Sequence, residues 1–273
     1  MILTKTIISA ICATLSLSAL ADTTDIKASN NQVGIQAIST HVDYTETGNG
    51  IYGTPTGTLD TETGNVPGYA LSFSTMKNWW LGNDYLEIGY SHNKGDTSYI
   101  GGAADGSTPY GSLVGQDGAV LEDYHLRYGK GFVINNNLML TPYFEIGHHS
   151  WDRSINAGET YANRYYAVGV LGQYSPASRL VLTANALAGR TYGSNINVVD
   201  AFSGSLGNSG LFKIGFSADY AFTQHLHANV GANYTSFKYG MSAIYPIGNG
   251  YVAWEPDSTT KYTTIELGLG YAF

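Results

Sequence analysis

From Thr264 to Phe273 every second residue is large and apolar. Ile265, Leu267, Leu269, Tyr271 and Phe273 share one parity, while Thr264, Glu266, Gly268, Gly270 and Ala272 share the other. Successive side chains of a strand point to opposite faces, so this segment, once extended, has one greasy face and one small or polar face. The pattern recurs along the chain. Leu86, Ile88 and Tyr90 alternate with Glu87, Gly89 and Ser91; Tyr124, Leu126 and Tyr128 with Asp123, His125 and Arg127; Phe144 and Ile146 with Tyr143, Glu145 and Gly147. Phe212 to Tyr220 and Leu226 to Tyr234 do the same, and weaker versions lie near 32–45, 68–76, 162–172 and 180–189. Such segments have the length of about ten residues that a tilted strand needs to cross hydrocarbon. The expected fold is all-β, a transmembrane antiparallel up-and-down barrel of about 10 strands, an even number as in bacterial single-chain barrels.

Composition narrows the alternatives. Only 12% of the residues are charged, about half the share of a soluble domain. Yet beyond the first 21 residues no segment approaches the ~18 apolar residues of a spanning helix. A soluble sandwich would turn its apolar parity inward and keep its charges outside. Here the polar parity carries glycines and isolated charges, which suits a crowded lumen.

Residues 1–21 read as a secretory signal: Lys5 at the start, an apolar centre from Ile7 to Leu17, and Ala19-Leu20-Ala21 before Asp22. Cys12 lies within it, so removal of the signal leaves no cysteine and excludes disulfide or thiolate chemistry. Residues 22–30 read as a disordered periplasmic leader, and 31–273 as the barrel. The net charge of −8 and the lack of a basic stripe exclude nucleic acid as a partner. No glycine loop of nucleotide-binding type is present, and no cofactor is expected. Connections after even strands are short (77–84, 129–137, 173–179, 221–225). Those after odd strands are long and rich in Gly, Ser, Thr and Asp (46–67, 92–119, 151–160, 190–209, 238–261), so both termini are expected in the periplasm. Pro142 falls inside the fifth strand, where it cannot donate to the ladder, and predicts a strand start or a bulge there.

A chain that ends in Phe273 with an apolar residue at every second position before it resembles the terminal assembly signal of Gram-negative outer-membrane barrels. With the signal peptide and the meander, the mature chain resembles the small OmpA/OmpX/Opa-type barrel superfamily. That resemblance implies an outer-membrane location, engagement of the barrel-assembly machinery by Tyr271 and Phe273, and a monomer among outer-membrane lipids and lipopolysaccharide. The resemblance does not extend to the peptidoglycan-binding domain of the OmpA pattern, which is not expected after the barrel.

The lumen-facing parity contains Glu87, Asp123, His125, Arg127, Glu145, His149, Lys213, Asp219, His227 and Glu266. Unpaired charges in a narrow lumen are costly, so these are expected to pair, Arg127 with Glu87 foremost. A filled lumen makes the chain a non-enzymatic barrel that displays its loops for a structural, adhesive or recognition role. An open lumen makes it a narrow channel for small solutes. Tyr52, Tyr99, Tyr110, Tyr245, Tyr251 and Trp254 are candidate anchors for an extracellular ligand at the loops.

Two histidine arrangements admit an enzymatic reading. Asp123-x-His125 is similar in spacing to the Asp–His pair of omptin proteases, but no Asp-x-Asp faces it. His148-x-Ser150 resembles the His-x-Ser of lipid A deacylases, with Glu159 as the orienting acid, although Trp151 follows where that family has Asn. No metal site is expected, because adjacent His148 and His149 point to opposite faces of a strand.

Overall fold

The computed structural model describes residues 23–273 apart from 104, 105 and 249, so the signal peptide expected over 1–21 lies outside the described residues. Ten long strands follow a short helix, α1 (Thr23–Ser29): β1 (Gln32–Asn49), β2 (Thr56–Lys77), β3 (Asp84–Gly101), β4 (Leu113–Lys130), β5 (Leu138–Arg153), β6 (Glu159–Ala177), β7 (Leu180–Val198), β8 (Gly210–Ala221), β9 (Leu226–Tyr239) and β10 (Asp257–Ala272). Each pairs antiparallel with its sequence neighbours, and β1 closes the ring against β10, from Gln32 opposite Ala272 to Thr47 opposite Asp257. Closure leaves no sheet edge, which hydrocarbon would punish by several kcal/mol for each unpaired backbone group.

The alternating segments all lie in these strands, with the large apolar parity outward. Val33 and Ile35 on β1, Phe212 to Phe216 on β8 and Ile265 to Tyr271 on β10 are exposed, as is the terminal Phe273. Together they form an apolar belt toward the end that carries the short turns. At that end Trp79, Trp80 and Leu81 are exposed, Trp80 by 84%, as interfacial anchors. Their turn is folded around one carboxylate. The backbone N–H groups of Trp79, Trp80, Leu81 and Gly82 donate to Asp84 at 2.9–3.3 Å, and the Tyr128 hydroxyl donates at 2.6 Å. The Tyr128 bond and these backbone donors hold the Asp84 carboxyl down at about 2. A lowered carboxyl contributes stability above the ordinary carboxylate range and loses it as pH falls toward 2. Asp84→Asn is therefore expected to speed amide hydrogen exchange at residues 79–82 at neutral pH; unchanged exchange would contradict this reading.

The strands run far beyond the belt. An 18-residue strand such as β1 is roughly 60 Å long and, tilted by about 40°, rises roughly 45 Å against an apolar band about 25 Å tall. The excess lies at the outer end, and it corrects the expected loops. The span 46–67 is mostly strand, as are the flanks of 92–119, 190–209 and 238–261. The outer connections shrink to 50–55, 102–112, 154–158, 199–209 and 240–256. Outside the membrane both faces of a strand tolerate polar residues, so the ladder persists where the alternation has stopped.

Two further expectations change. β5 begins at Leu138, four residues before Pro142, and Pro142 pairs in register with Val170 on β6. On its other side the ladder with β4 ends at Tyr143 opposite Gly129, next to the proline. The segment 22–30, expected to be disordered, is ordered from Thr23 as α1. Ile26 is fully buried at the short-turn end of the lumen, in one apolar cluster with Met76, Tyr85, Met139 and Val181. Asn30 and Gln173 exchange two amide hydrogen bonds at 2.8 and 2.9 Å, and Asn31 Oδ1 accepts from Thr75 and the Met76 N–H at 3.0 Å.

Candidate functional site

The lumen is filled in layers above α1. The lowest charged layer lies within the belt. Arg127 on β4 bridges Glu145 Oε2 at 2.7 Å and Glu87 Oε2 at 3.0 Å, with its guanidinium 4.3 Å from the Tyr143 ring centroid. Lys213 on β8 reaches across to Glu145 on β5 at 3.5 Å and Asp123 on β4 at 3.7 Å. His149 Nε2 lies 2.8 Å from Asp123 Oδ2. His125 is clamped from both sides, Nε2 by Glu87 at 3.1 Å and Nδ1 by Asp123 at 3.4 Å. Gly89 makes room for that ring, since a Cβ there would collide with it. Seven of the expected lumen residues thus form one network, including the Arg127–Glu87 pair.

The others stand apart. Asp219 pairs with His227 at 2.6 Å and accepts from Gln32 near α1. Glu266 takes part in no ion pair among the described residues and packs over Gly231. A cavity of about 370 Å³ lies among these groups, bounded by Asn30 and Gln32 below and by His149 and Tyr262 above.

An aromatic layer closes over that cavity. His149 is sandwiched between Tyr165 (centroids 4.8 Å, 18°) and Phe237 (5.0 Å, 8°). Because Phe237 is on β9 and His149 on β5, this stack spans the lumen. Tyr44 on β1 packs edge-on against Trp151 on β5 at 5.2 Å. Tyr161 on β6 packs against Tyr239 on β9 at 5.2 Å, and Asn163 donates to the Tyr239 hydroxyl at 2.9 Å.

The outermost layer was hidden from the sequence reading. Arg153 on β5 is buried with its guanidinium 5.1 Å from both the Tyr44 and Trp151 rings. It donates to Glu62 Oε1 from Nε at 2.6 Å and to Glu159 Oε2 at 2.9 Å, with Asp117 at 3.6 Å and Asp60 at 3.8 Å. Glu46 and Glu255 complete the ring through the Tyr44 and Tyr161 hydroxyls, which lie 3.2 Å apart. Six carboxylates thus surround one guanidinium above the belt. Burial, opposed by Arg153, pushes Glu62 up to about 7. Burial, reinforced by Glu159, pushes Glu255 up to about 8. Glu46 and Asp60 are raised from the same cause. In the sequence these six fall within the spans expected as long connections, and Glu159 is also the candidate orienting acid. Carrying the inward parity past His149 through Trp151 reaches Arg153, and that signal was available in the sequence.

The candidate catalytic groups do not converge. His148 faces outward and stacks on Tyr124 at 4.8 Å; Ser150 shares that outward parity. Glu159 lies inside the barrel on Arg153 and Asn156, so it cannot orient His148. For the Asp123–His125 pair, both imidazole nitrogens are engaged by carboxylates, which leaves none directed at a substrate. No arrangement of His, Asp and Glu suited to a metal occurs among the described residues. Of the candidate loop aromatics, Tyr251 is exposed, Tyr110 bonds Thr61 at 3.0 Å and Tyr245 stacks on Phe202 at 5.2 Å. The side chain of Tyr52 lies outside the described residues.

A closed ten-strand transmembrane barrel, of the architecture found in small outer-membrane barrels, is what this fold defines. No protein-family model matches the sequence, and no curated protein matches it. Among solved structures the chain is similar to the outer membrane protease OmpT from Escherichia coli, at 10% identity over 89% of this chain and 97% of that one, with a TM-score of 0.55. It also overlaps the transport unit of the autotransporter AIDA-I from Escherichia coli, at 10% identity, 97% and 96% coverage and a TM-score of 0.46. The outer membrane protein OprG from Pseudomonas aeruginosa overlaps at 11% identity, 89% and 98% coverage and a TM-score of 0.38. At this identity the OmpT likeness concerns the fold alone.

Proposed function

We propose that the chain is a non-enzymatic surface protein of a Gram-negative outer membrane, a monomeric closed barrel whose protruding outer end serves recognition or adhesion. The observation that carries this reading is the Phe237–His149–Tyr165 stack, which crosses the lumen between two charged layers. With the interior filled, the surface left for a partner is the rim. Val114 is 73% exposed and Tyr251 70%, and Ile51, Leu113, Ile247 and Val252 are exposed at the same end. Residues 245–248 and 251–253 pair only with each other, as a hairpin separate from the barrel sheet. Exposed apolar and aromatic groups on Gly-rich tips suit recognition of another surface. In this account the short turns and α1 face the periplasm, Tyr271 and Phe273 engage the assembly machinery, and lipopolysaccharide surrounds the belt. The channel alternative would need the cavity to continue past α1 and the aromatic stack.

Liposomes carrying the refolded chain are expected to adhere to epithelial cell monolayers, and Val114→Ser/Tyr251→Ser/Val252→Ser to abolish most of that adhesion while the barrel stays folded. Adhesion of the triple variant equal to that of the native chain would overturn the rim as the contact surface.

A further inference from the structure

Charge is unevenly distributed along the outer edge of the apolar belt. Over β10 and β1 the partly exposed Lys261 is neutralised by Asp43 at 3.0 Å. Over β6 and β7 two exposed arginines, Arg164 and Arg190, form no ion pair among the described residues. The carboxylates on this outward face are engaged elsewhere: Glu122 accepts from Tyr90 at 2.9 Å and lies 3.2 Å from His92, and Asp152 accepts from Thr160 at 2.7 Å.

The register places the two arginines with care. Arg164 is opposite Tyr192, and Tyr166 is opposite Arg190. The four residues form a square with the arginines on one diagonal, roughly 7–8 Å apart at the backbone. The tyrosines fill the other diagonal, with ring centroids 6.0 Å apart. On the far side of Arg164, His148 is its partner across β5, stacked on Tyr124. Val168 and Val170, exposed just below on β6, belong to the lipid-facing belt. Each guanidinium offers a planar fork of donors matched to phosphate oxygens, and the rings between them offer flat faces to the rest of a headgroup.

We propose that this square binds the phosphorylated headgroup of an outer-leaflet lipid. The location at the belt edge selects a lipid over a free anion, because acyl chains would lie on Val168 and Val170 while the phosphates meet Arg164 and Arg190. The proposal rests on the outer end facing the outer leaflet, but not on any adhesive role of the rim.

Native mass spectrometry of the refolded mature chain tests it, using nanodiscs that contain lipid A with both phosphates or its phosphate-free counterpart. The native chain is expected to retain the phosphorylated lipid in preference. Arg164→Ala/Arg190→Ala should weaken that retention roughly thirtyfold, the effect of removing two cations at an anionic surface. Lys94→Ala, which removes an exposed cation on β3, three strands away from β6, should change nothing. Equal retention of both lipids by the native chain would overturn the proposal, and that comparison decides even if the double variant fails to fold. Equal retention by a folded double variant would overturn it too. Displacement of the lipid by inorganic phosphate at matched headgroup concentration would assign the square to a bare anion instead. Because these measurements involve no cell surface, loss of adhesion by the rim variants leaves them unaffected.

Discussion

Arg153→Met is expected to destabilise the barrel by about 3–5 kcal/mol at pH 8, the cost of leaving buried carboxylates without their counter-charge. The guanidinium is held by Glu62 and Glu159, with Asp60 and Asp117 within 3.8 Å. Nothing else among the described residues supplies a cation to that layer. The penalty should shrink at pH 5, because carboxyls raised by burial take up protons there. With Glu62 at about 7 and Glu255 at about 8, the folded barrel holds protons that the unfolded chain has released. Their contribution is complete below the ordinary carboxylate range and disappears as pH rises through these raised values. The native chain should accordingly show a higher urea midpoint at pH 5 than at pH 9, read by tryptophan fluorescence. A midpoint that does not move with pH, or a variant as stable as the native chain at pH 8, would contradict the assignment of this layer.

The same substitution at Arg127 is expected to cost a similar amount, about 3–5 kcal/mol, but by a different route. Glu145 is fully buried and Glu87 partly buried, and Arg127 is bonded to both. Lys213 remains 3.5 Å from Glu145, so Glu87 is the group left most exposed to the loss, with His125 as its remaining partner. Combining Arg127→Met with Glu87→Gln and Glu145→Gln should recover much of the stability, since a neutral interior carries no uncompensated charge. If the single variant is neutral, or the triple variant is worse than the single, the network is not what holds the middle of the lumen together.

The strands were legible where two solvents differ. Between lipid and lumen the parity of Ile265 to Phe273 is forced, and the same contrast exposes β8 and β9. Beyond the belt that contrast vanishes: Thr61, Thr63 and Asn65 face water while Glu62 and Gly64 face a buried interior, so both parities are polar and the strand looks like a loop. The outer carboxylate layer is invisible in the alternation for that reason. It is buried by the aromatic layer beneath it and by its own neighbours, and not by an apolar pattern of its own. The helix at Thr23–Ser29 leaves no trace because seven residues with one large apolar side chain, Ile26, have no periodicity to detect. By contrast, the Arg127–Glu87 pair follows from parity and register alone, since both residues lie a few positions from the short-turn ends of adjacent strands.

The central claim is that side chains close the lumen. Single-channel recording of the refolded mature chain in planar bilayers at neutral pH tests it most directly. A silent membrane, with insertion verified independently, is the predicted result. A steady unit conductance that is lost or altered by substitutions at Glu87, Arg127 or Glu145 would contradict the claim and make the chain a channel.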